Sequence, residues 1–186
     1  MTRLAQTLAA IDAANAKDPR QDDSRPEAQL YGERMSHQVD RLFPDAPDTL
    51  KIAARGQHIE RWVLARADYP AGRVGYLTWR RDLAVHHATR VGEIMEQAGY
   101  GRDDIDMVGQ MLRKEGLKRT PLVQQLEDVI CFTFLTWYFA PFAAKHADDK
   151  VQDIVEKTAR KMSPEARARV LQEFDLPAPL AQAFQI

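Results

Sequence analysis

Cysteine is almost missing from this chain, and this limits its covalent chemistry. Cys131 is the only cysteine among 186 residues, so an intramolecular disulfide is excluded. It lies in the apolar stretch EDVICFTFL, where we expect a buried structural thiol, because a reactive thiol of low pKa needs positively charged neighbours. This usage fits a reducing compartment, and we expect the protein to be cytoplasmic.

The chain also lacks an excess of charge and a long apolar run. Lys and Arg number 26 and Asp and Glu 27, a formal net charge of −1, so no overall field draws the protein to nucleic acid or to a membrane. The longest apolar run, residues 129–144, is short for a bilayer and contains Pro141. It predicts a buried helix and no membrane partner. Glycine-rich phosphate loops of the P-loop or Rossmann type are absent from the sequence as well.

What is present is helical periodicity along almost the whole chain. Apolar residues recur three and four positions apart, prolines and glycines separate the periodic segments, and no strand-like alternation is found. The pattern predicts an all-α fold, a single domain over residues 1–186 with seven or eight helices. The first two predicted helices begin near Leu4 and Pro26, the third covers Thr49 to about Val63, the fourth covers about Tyr76 to Gln97, and the fifth follows Gly101. The sixth covers Pro121 to about His146, with a kink at Pro141, and the seventh covers about Asp148 to Met162. The last begins at Pro164, with Ser163 as its N-cap.

Three of the predicted helices carry ligand-type side chains at or beside their buried faces. His58 borders the apolar stripe of the third helix, His87 falls on the stripe of the fourth, and His86 is turned about 100° away from it. Glu127 and Asp128 directly precede the most apolar stretch, so at least one of them is expected to point inward. Imidazole and carboxylate ligands together suit Mn, Fe, Co, Ni or Zn. The alternative is that the histidines are hydrogen-bonded core residues and the carboxylates belong to a helix start.

A basic and aromatic segment runs from Lys51 to Arg81. It holds seven bases against two acids and therefore stands out from a chain of almost no net charge. Arginine forks bind phosphate and aromatic faces stack on bases, so the segment predicts a phosphate-bearing ligand held by Arg55, Arg61 and Arg80, and Lys114 could also face a phosphate. The alternative is that the arginines pair with acidic helices and that the aromatic residues belong to the core. These aromatic residues are Trp62, Tyr69, Tyr76 and Trp79.

Motifs spread along the chain carry a family resemblance. They are IDAANAKDP, LYGERM, AARGQHIERW, YPAGRVGYLTWRRDL, HHATR, QLEDVICFTFL and KMSPEAR. Together they resemble the uncharacterised family catalogued as domain of unknown function 4202, over nearly the whole chain. This resemblance implies a shared fold and no particular substrate.

A more distant resemblance is to the HD-domain phosphohydrolases, which are all-helical metal enzymes. Their pattern is a histidine, then a His-Asp doublet, then a later aspartate, each on a different helix. The resemblance implies an HD-domain-like fold in which His58 stands for the first histidine, the pair His86 and His87 falls at the doublet, and Asp128 is the later aspartate. The sequence departs from the pattern at the doublet, because His87 follows His86 and Ala88 follows His87. That departure implies a changed or missing metal centre.

These residues support three functional hypotheses. In the first, a metal-dependent phosphohydrolase, an ion on His58, His87 and Asp128 activates a water that Glu127 orients, and the arginines hold the phosphate of a nucleotide or other phosphoester. In the second, a non-catalytic module binds a nucleotide or RNA through the Lys51–Arg81 segment. In the third, the same segment meets an acidic protein partner. The residues leave the substrate and the oligomeric state open.

Overall fold

In the computed structural model, which describes residues 1–185, the chain is built almost entirely from helices, so the predicted all-α fold is confirmed. The helices gather into two compact units, Met1–Glu115 and Gly116–Ile186. That the whole chain is one domain stays a prediction. Within residues 1–185, none of the helices combines the length and the apolar character needed to cross a membrane.

The first unit consists of helices α1 to α5 and their connections. Thr2 caps α1, because its hydroxyl oxygen accepts a hydrogen bond from the Ala5 N–H at 3.2 Å. Two single turns of 3₁₀-helix, Arg61–Val63 and Arg66–Asp68, connect α3 to α4. The helices of this unit are α1 Arg3–Asn15, α2 Glu27–Leu42, α3 Asp48–Gly56, α4 Gly72–Gln97 and α5 Arg102–Leu112.

A short hairpin precedes α2, where the sequence shows no strand-like alternation. Its strands β1, Gln21–Asp22, and β2, Arg25–Pro26, pair antiparallel. Asp23 and Ser24 between them have φ values of 49° and 60°, and two consecutive residues of positive φ are the mark of a tight hairpin turn. Arg34 holds the turn in place through ion pairs with the carboxylates of Asp22 and Asp23 at 2.5 and 2.6 Å. Such short strands are too brief to leave a visible alternation in the sequence.

Helix α3 ends at Gly56, seven residues before the predicted end near Val63. The turn that follows is held by a contact from a distant part of the chain: Asn15 Oδ1 accepts the Glu60 N–H at 3.0 Å, and Glu60 adopts a left-handed conformation with φ 48°. Gly56 itself is required by packing, because a Cβ at this position would lie 2.4 Å from Cγ2 of Val91. His58 therefore lies on a turn rather than on a helix.

Helix α3 occupies the centre of the unit, in contact with α1, α2, α4 and α5, and α4 packs along α5. Burying each large apolar side chain contributes about 1.5–3 kcal/mol. This core fixes the end of α3 and the middle of α4, from which the candidate site residues extend. Its fully buried side chains include Ile11, Met35, Val39, Leu50, Ile52, Ile59, Val91, Met95, Val108 and Met111.

In the second unit, a π-helical turn interrupts the predicted sixth helix. The Phe139 N–H donates to the carbonyl of Phe134, five residues earlier. In a regular α-helix Pro141 would collide with the carbonyl of Trp137 and leave it without a donor, and the wider turn lies directly before that proline. The helix is thus irregular before Pro141, and the predicted kink at Pro141 stays a prediction. The segments involved are α6 Pro121–Thr133, the π-turn Phe134–Tyr138 and α7 Phe139–Ala143.

For one of the last helices of the second unit, the sequence predicted both the N-cap, Ser163, and the first helical residue, Pro164. The hydroxyl oxygen of Ser163 accepts from the Ala166 N–H at 3.1 Å, and Pro164 is the first residue of that helix, so Ser163 is confirmed as N-cap. These segments are α8 Asp148–Lys161, α9 Pro164–Glu173, α10 Ala178–Gln182 and the 3₁₀ turn Ala183–Gln185.

Candidate functional site

A cavity of about 500 Å³ opens in the first unit, beside the turn that follows α3, the middle of α4 and the end of α5. Its wall combines aliphatic and cationic side chains. Of the described residues, Glu115 is the only acidic one in the wall, and it forms an ion pair with Arg113 at 2.8 Å. The wall consists of Gln57, Arg61, Arg80, Arg81, Leu83, Ala84, Val85, His87, Leu112, Arg113, Lys114 and Glu115.

Arg61 is a half-buried cation of this cavity. It follows the left-handed residue Glu60, its Nη1 lies 3.0 Å from Nε2 of His58, and its guanidinium lies 5.0 Å from the ring centre of Trp79. Among residues 1–185 no carboxylate pairs with it. Burial lowers the pKa of Arg61, and the nearby charge of Arg80 lowers it further. Arg61 is therefore a partly desolvated cation without an anion in the described chain.

Arg80 is a second guanidinium in the cavity wall without a carboxylate partner among residues 1–185. Its sequence neighbour differs, because Arg81 pairs with Asp82 at 3.0 Å. Lys114, directly after the C-cap of α5, adopts a left-handed conformation with φ 58°, which is uncommon for a residue with a side chain and ends the helix there. Of the sequence-predicted phosphate contacts, the structure brings Arg61, Arg80 and Lys114 to one cavity.

Arg55, the fourth predicted phosphate contact, lies elsewhere. Its Nε and Nη2 donate to the two carboxylate oxygens of Asp12 at 2.6 and 2.7 Å, and its Nη1 donates to the hydroxyl of Ser36 at 3.2 Å. It does not line the cavity. Arg55 thus ties α3 to α1 and α2, as the alternative interpretation of the basic segment predicted for some of its arginines.

His58 lies between the ring of Tyr31 and the cavity residues. Its ring stacks on Tyr31 with centres 3.8 Å apart, and the ring centre of His87 lies 6.2 Å away. Burial and then the charge of Arg61 hold the pKa of His58 well below its usual value, so the ring is neutral near pH 7. Nε2 then accepts from the guanidinium of Arg61, and the ring proton lies on Nδ1.

His87 is buried on α4, as its place on the apolar stripe predicted, with 4% of its surface exposed. Burial first, then the neighbouring His86 and Arg61, lowers its pKa to about 3, so it too is neutral. His86 is half-buried, its ring centre lies 5.8 Å from that of His87, and it does not line the cavity. Burial lowers the pKa of His86 as well, against the opposing effect of the Glu60 carboxylate.

Glu127 and Asp128 belong to the second unit and are both buried, with 2% and 3% of their surface exposed. Oδ1 of Asp128 accepts from the Ser163 N–H at 2.8 Å and from Gln124 Nε2 at 3.0 Å. Burial raises the pKa of Asp128, and the bonds from Ser163 lower it. Oε1 of Glu127 lies 3.9 Å from the ammonium of Lys161. Within its unit, Asp128 holds the start of α9 in place.

Residues 5–183 match the model of the family described as domain of unknown function (DUF4202). The chain belongs to that family. Comparisons with curated proteins and with solved structures found no match. The match to the DUF4202 family spans every candidate residue named above, from the histidines and arginines of the first unit to the buried carboxylates of α6.

The predicted metal site of this DUF4202 member stays a prediction. Among residues 1–185, no group of three or more His, Cys, Asp or Glu side chains could hold a metal ion. At His58 the surroundings also oppose a cation, because Arg61 already places a positive charge against Nε2. The donor atoms around His58 therefore fit an anion better than a metal.

The aromatic residues of the basic segment do not face the cavity. The indole N–H of Trp79 donates to the Leu64 carbonyl at 2.9 Å, and the face of its ring is covered by Arg61. The hydroxyl of Tyr69 donates to Asp82 Oδ2 at 3.2 Å.

The residue that sequence reasoning missed is Gln57, a buried glutamine in the cavity wall. Only its place directly before His58 could have served as a signal.

Proposed function

We propose that the first unit of this protein binds a phosphate-bearing small molecule in the cavity between Arg61, Arg80 and Lys114. The observation that supports it is the pair of guanidinium groups, Arg61 and Arg80, in one cavity wall without a carboxylate partner among residues 1–185. Arginine forks bind phosphate oxygens bidentately, and a charge-assisted hydrogen bond of this kind contributes about 1.5–3 kcal/mol.

Two positive charges in one cavity wall cost stability when no anion lies between them. Arg61 is half-buried, and its pKa is lowered by burial and by the charge of Arg80. A partly buried charge without a counter-charge destabilises the fold, and an anion between the two guanidinium groups would remove that cost. The cavity volume of about 500 Å³ also falls within the roughly 300–1,000 Å³ common for small-molecule sites.

The same cavity favours a small molecule over RNA, because none of its described lining residues is aromatic. Single-stranded RNA is held by open aromatic faces, and the ring of Trp79 is already covered by Arg61. Metal-dependent hydrolysis of the bound phosphoester, which the distant HD-domain resemblance implies, is a separate prediction. Its test is the elemental metal content of the wild type and of His58→Ala, purified without a histidine tag.

Calorimetric titration with pyrophosphate tests the binding proposal. We expect the wild type to bind pyrophosphate, more weakly as salt rises, and Arg61→Met and Arg80→Met each to lose about tenfold or more in affinity. Arg73→Met is the matched control, because Arg73 is an exposed arginine of α4 outside the cavity wall, and its affinity should stay within about twofold. No binding by the wild type, or an equal loss in Arg73→Met, would overturn the proposal.

A further inference from the structure

We infer that the ligand of this cavity is the phosphate ester of a polyol, such as a sugar phosphate, whose hydroxyl groups bond to Gln57 and His87. The inference rests on the proposed function, because the phosphate group is assigned to Arg61 and Arg80. What it adds is the chemistry of the rest of the ligand.

Gln57 and His87 are two polar side chains of the cavity wall that lack partners within residues 1–185. They are 7% and 4% exposed, so each is more than nine-tenths buried. Neither side chain forms a hydrogen bond with any part of that range, and Oε1 of Gln57 and Nε2 of His87 are fully enclosed without one. Buried amides and imidazoles in folded proteins are almost always hydrogen-bonded. Because both atoms are enclosed, each side chain would rotate toward the cavity to reach a ligand there, and that ligand would supply the missing bonds.

The chemistry of these two side chains selects the group they would bind. A glutamine amide offers both an acceptor oxygen and a donor NH₂, and a neutral imidazole offers one nitrogen of each kind. The pKa of His87, lowered to about 3 by burial, keeps its ring neutral, so it offers no charge to a second phosphate. A hydroxyl group is donor and acceptor at once and suits both side chains. Inorganic phosphate would pair with the guanidinium groups but would leave Gln57 and His87 without hydrogen-bond partners.

The apolar part of the wall argues against a nucleobase. It consists of aliphatic side chains, Leu83, Ala84, Val85 and Leu112, and the described part of the chain places no aromatic ring there on which a base could stack. The indole of Trp79 is covered by Arg61. Aliphatic contacts suit the C–H surface of a polyol, which turns its hydroxyl groups toward the polar side chains.

Titration of the intact chain with a graded set of probes tests the inference. The probes are inorganic phosphate, glycerol 3-phosphate, ribose 5-phosphate, glucose 6-phosphate, myo-inositol 1-phosphate and AMP. We expect at least one polyol phosphate to bind about tenfold or more tightly than inorganic phosphate, and more tightly than AMP. Gln57→Met, which keeps the volume and removes the amide, should reduce this difference, whereas Arg73→Met, outside the cavity wall, should leave it unchanged.

Each other outcome has one meaning. If inorganic phosphate binds in an Arg80-dependent way and no polyol phosphate binds more tightly, the inference is wrong and the proposed function stands. If AMP binds most tightly, the ligand is a nucleotide and the inference is wrong. If none of the probes binds, nor does pyrophosphate, both the inference and the proposed function fall. Because the wild type alone distinguishes these cases, the test does not depend on the folding of Gln57→Met.

Discussion

Nη1 of Arg61 lies 3.0 Å from Nε2 of His58, so a neutral imidazole orients a guanidinium that has no carboxylate partner among residues 1–185. The imidazole accepts without neutralising the charge, and the positive end of Arg61 stays available to an anion. A carboxylate in the place of His58 would have oriented Arg61 equally well and cancelled its charge. This pairing, together with Arg80 in the same wall, is why the cavity suits a phosphate.

Stability should fall as pH is lowered because His87 must take up a proton on unfolding. Its folded pKa of about 3 lies below the ordinary histidine value, so between about pH 6.5 and 3 the unfolded chain binds more protons than the folded one. The free energy of unfolding should therefore drop by about 2 kcal/mol from pH 7 to pH 5 through this residue alone. Urea unfolding at the two pH values, followed by circular dichroism, measures the drop. His87→Phe is the control, and an equal drop in that variant would show that His87 is not its source.

Two substitutions at Lys114 should differ in their effect on stability and agree in their effect on pyrophosphate affinity. Lys114 has φ 58°, which favours glycine, so Lys114→Gly should be about 1 kcal/mol more stable than Lys114→Ala. Both variants lose the same ammonium group and should lose the same amount of pyrophosphate affinity. Thermal unfolding and titration of the two variants check this. Equal stability of the pair, or wild-type affinity in either, would contradict the prediction.

The loss of Arg55 should have the opposite signature from the loss of Arg61. Arg55 donates to both oxygens of Asp12 and to Ser36, with 16% of its side chain exposed. Arg55→Met should lower the free energy of unfolding by about 1–3 kcal/mol, because the partly buried Asp12 loses its partner, and should leave pyrophosphate affinity unchanged. Urea unfolding and titration decide between this structural role and the ligand contact that the sequence predicted. A tenfold loss of affinity without destabilisation would return Arg55 to the binding site.

The contrast between Arg55 and Arg61 shows where sequence reasoning ends. Helix periodicity placed His87 on a buried face, and local cap chemistry placed Ser163 at the start of α9, because both depend on neighbours within a few positions. Whether an arginine is paired depends on residues far along the chain, such as Asp12, which is 43 positions from Arg55. The turn after α3 is likewise held from far along the chain, by the bond between Asn15 and Glu60.

Helices α3 and α4 approach each other so closely at Gly56 that we expect an added methyl group to be tolerated only if Val91 is made smaller. A Cβ on Gly56 would lie 2.4 Å from Cγ2 of Val91, a fully buried side chain in the middle of α4. Gly56→Ala should therefore destabilise the fold by about 1–3 kcal/mol through overpacking. Because the clash involves the side chain of Val91 alone, the double variant Gly56→Ala, Val91→Ala should recover part of that loss, so the two effects should not add. Urea unfolding of the wild type, the two single variants and the double variant measures the coupling. If the double variant is as unstable as the sum of the single ones, Gly56 and Val91 are not energetically coupled, and their contact does not limit the approach of α3 to α4.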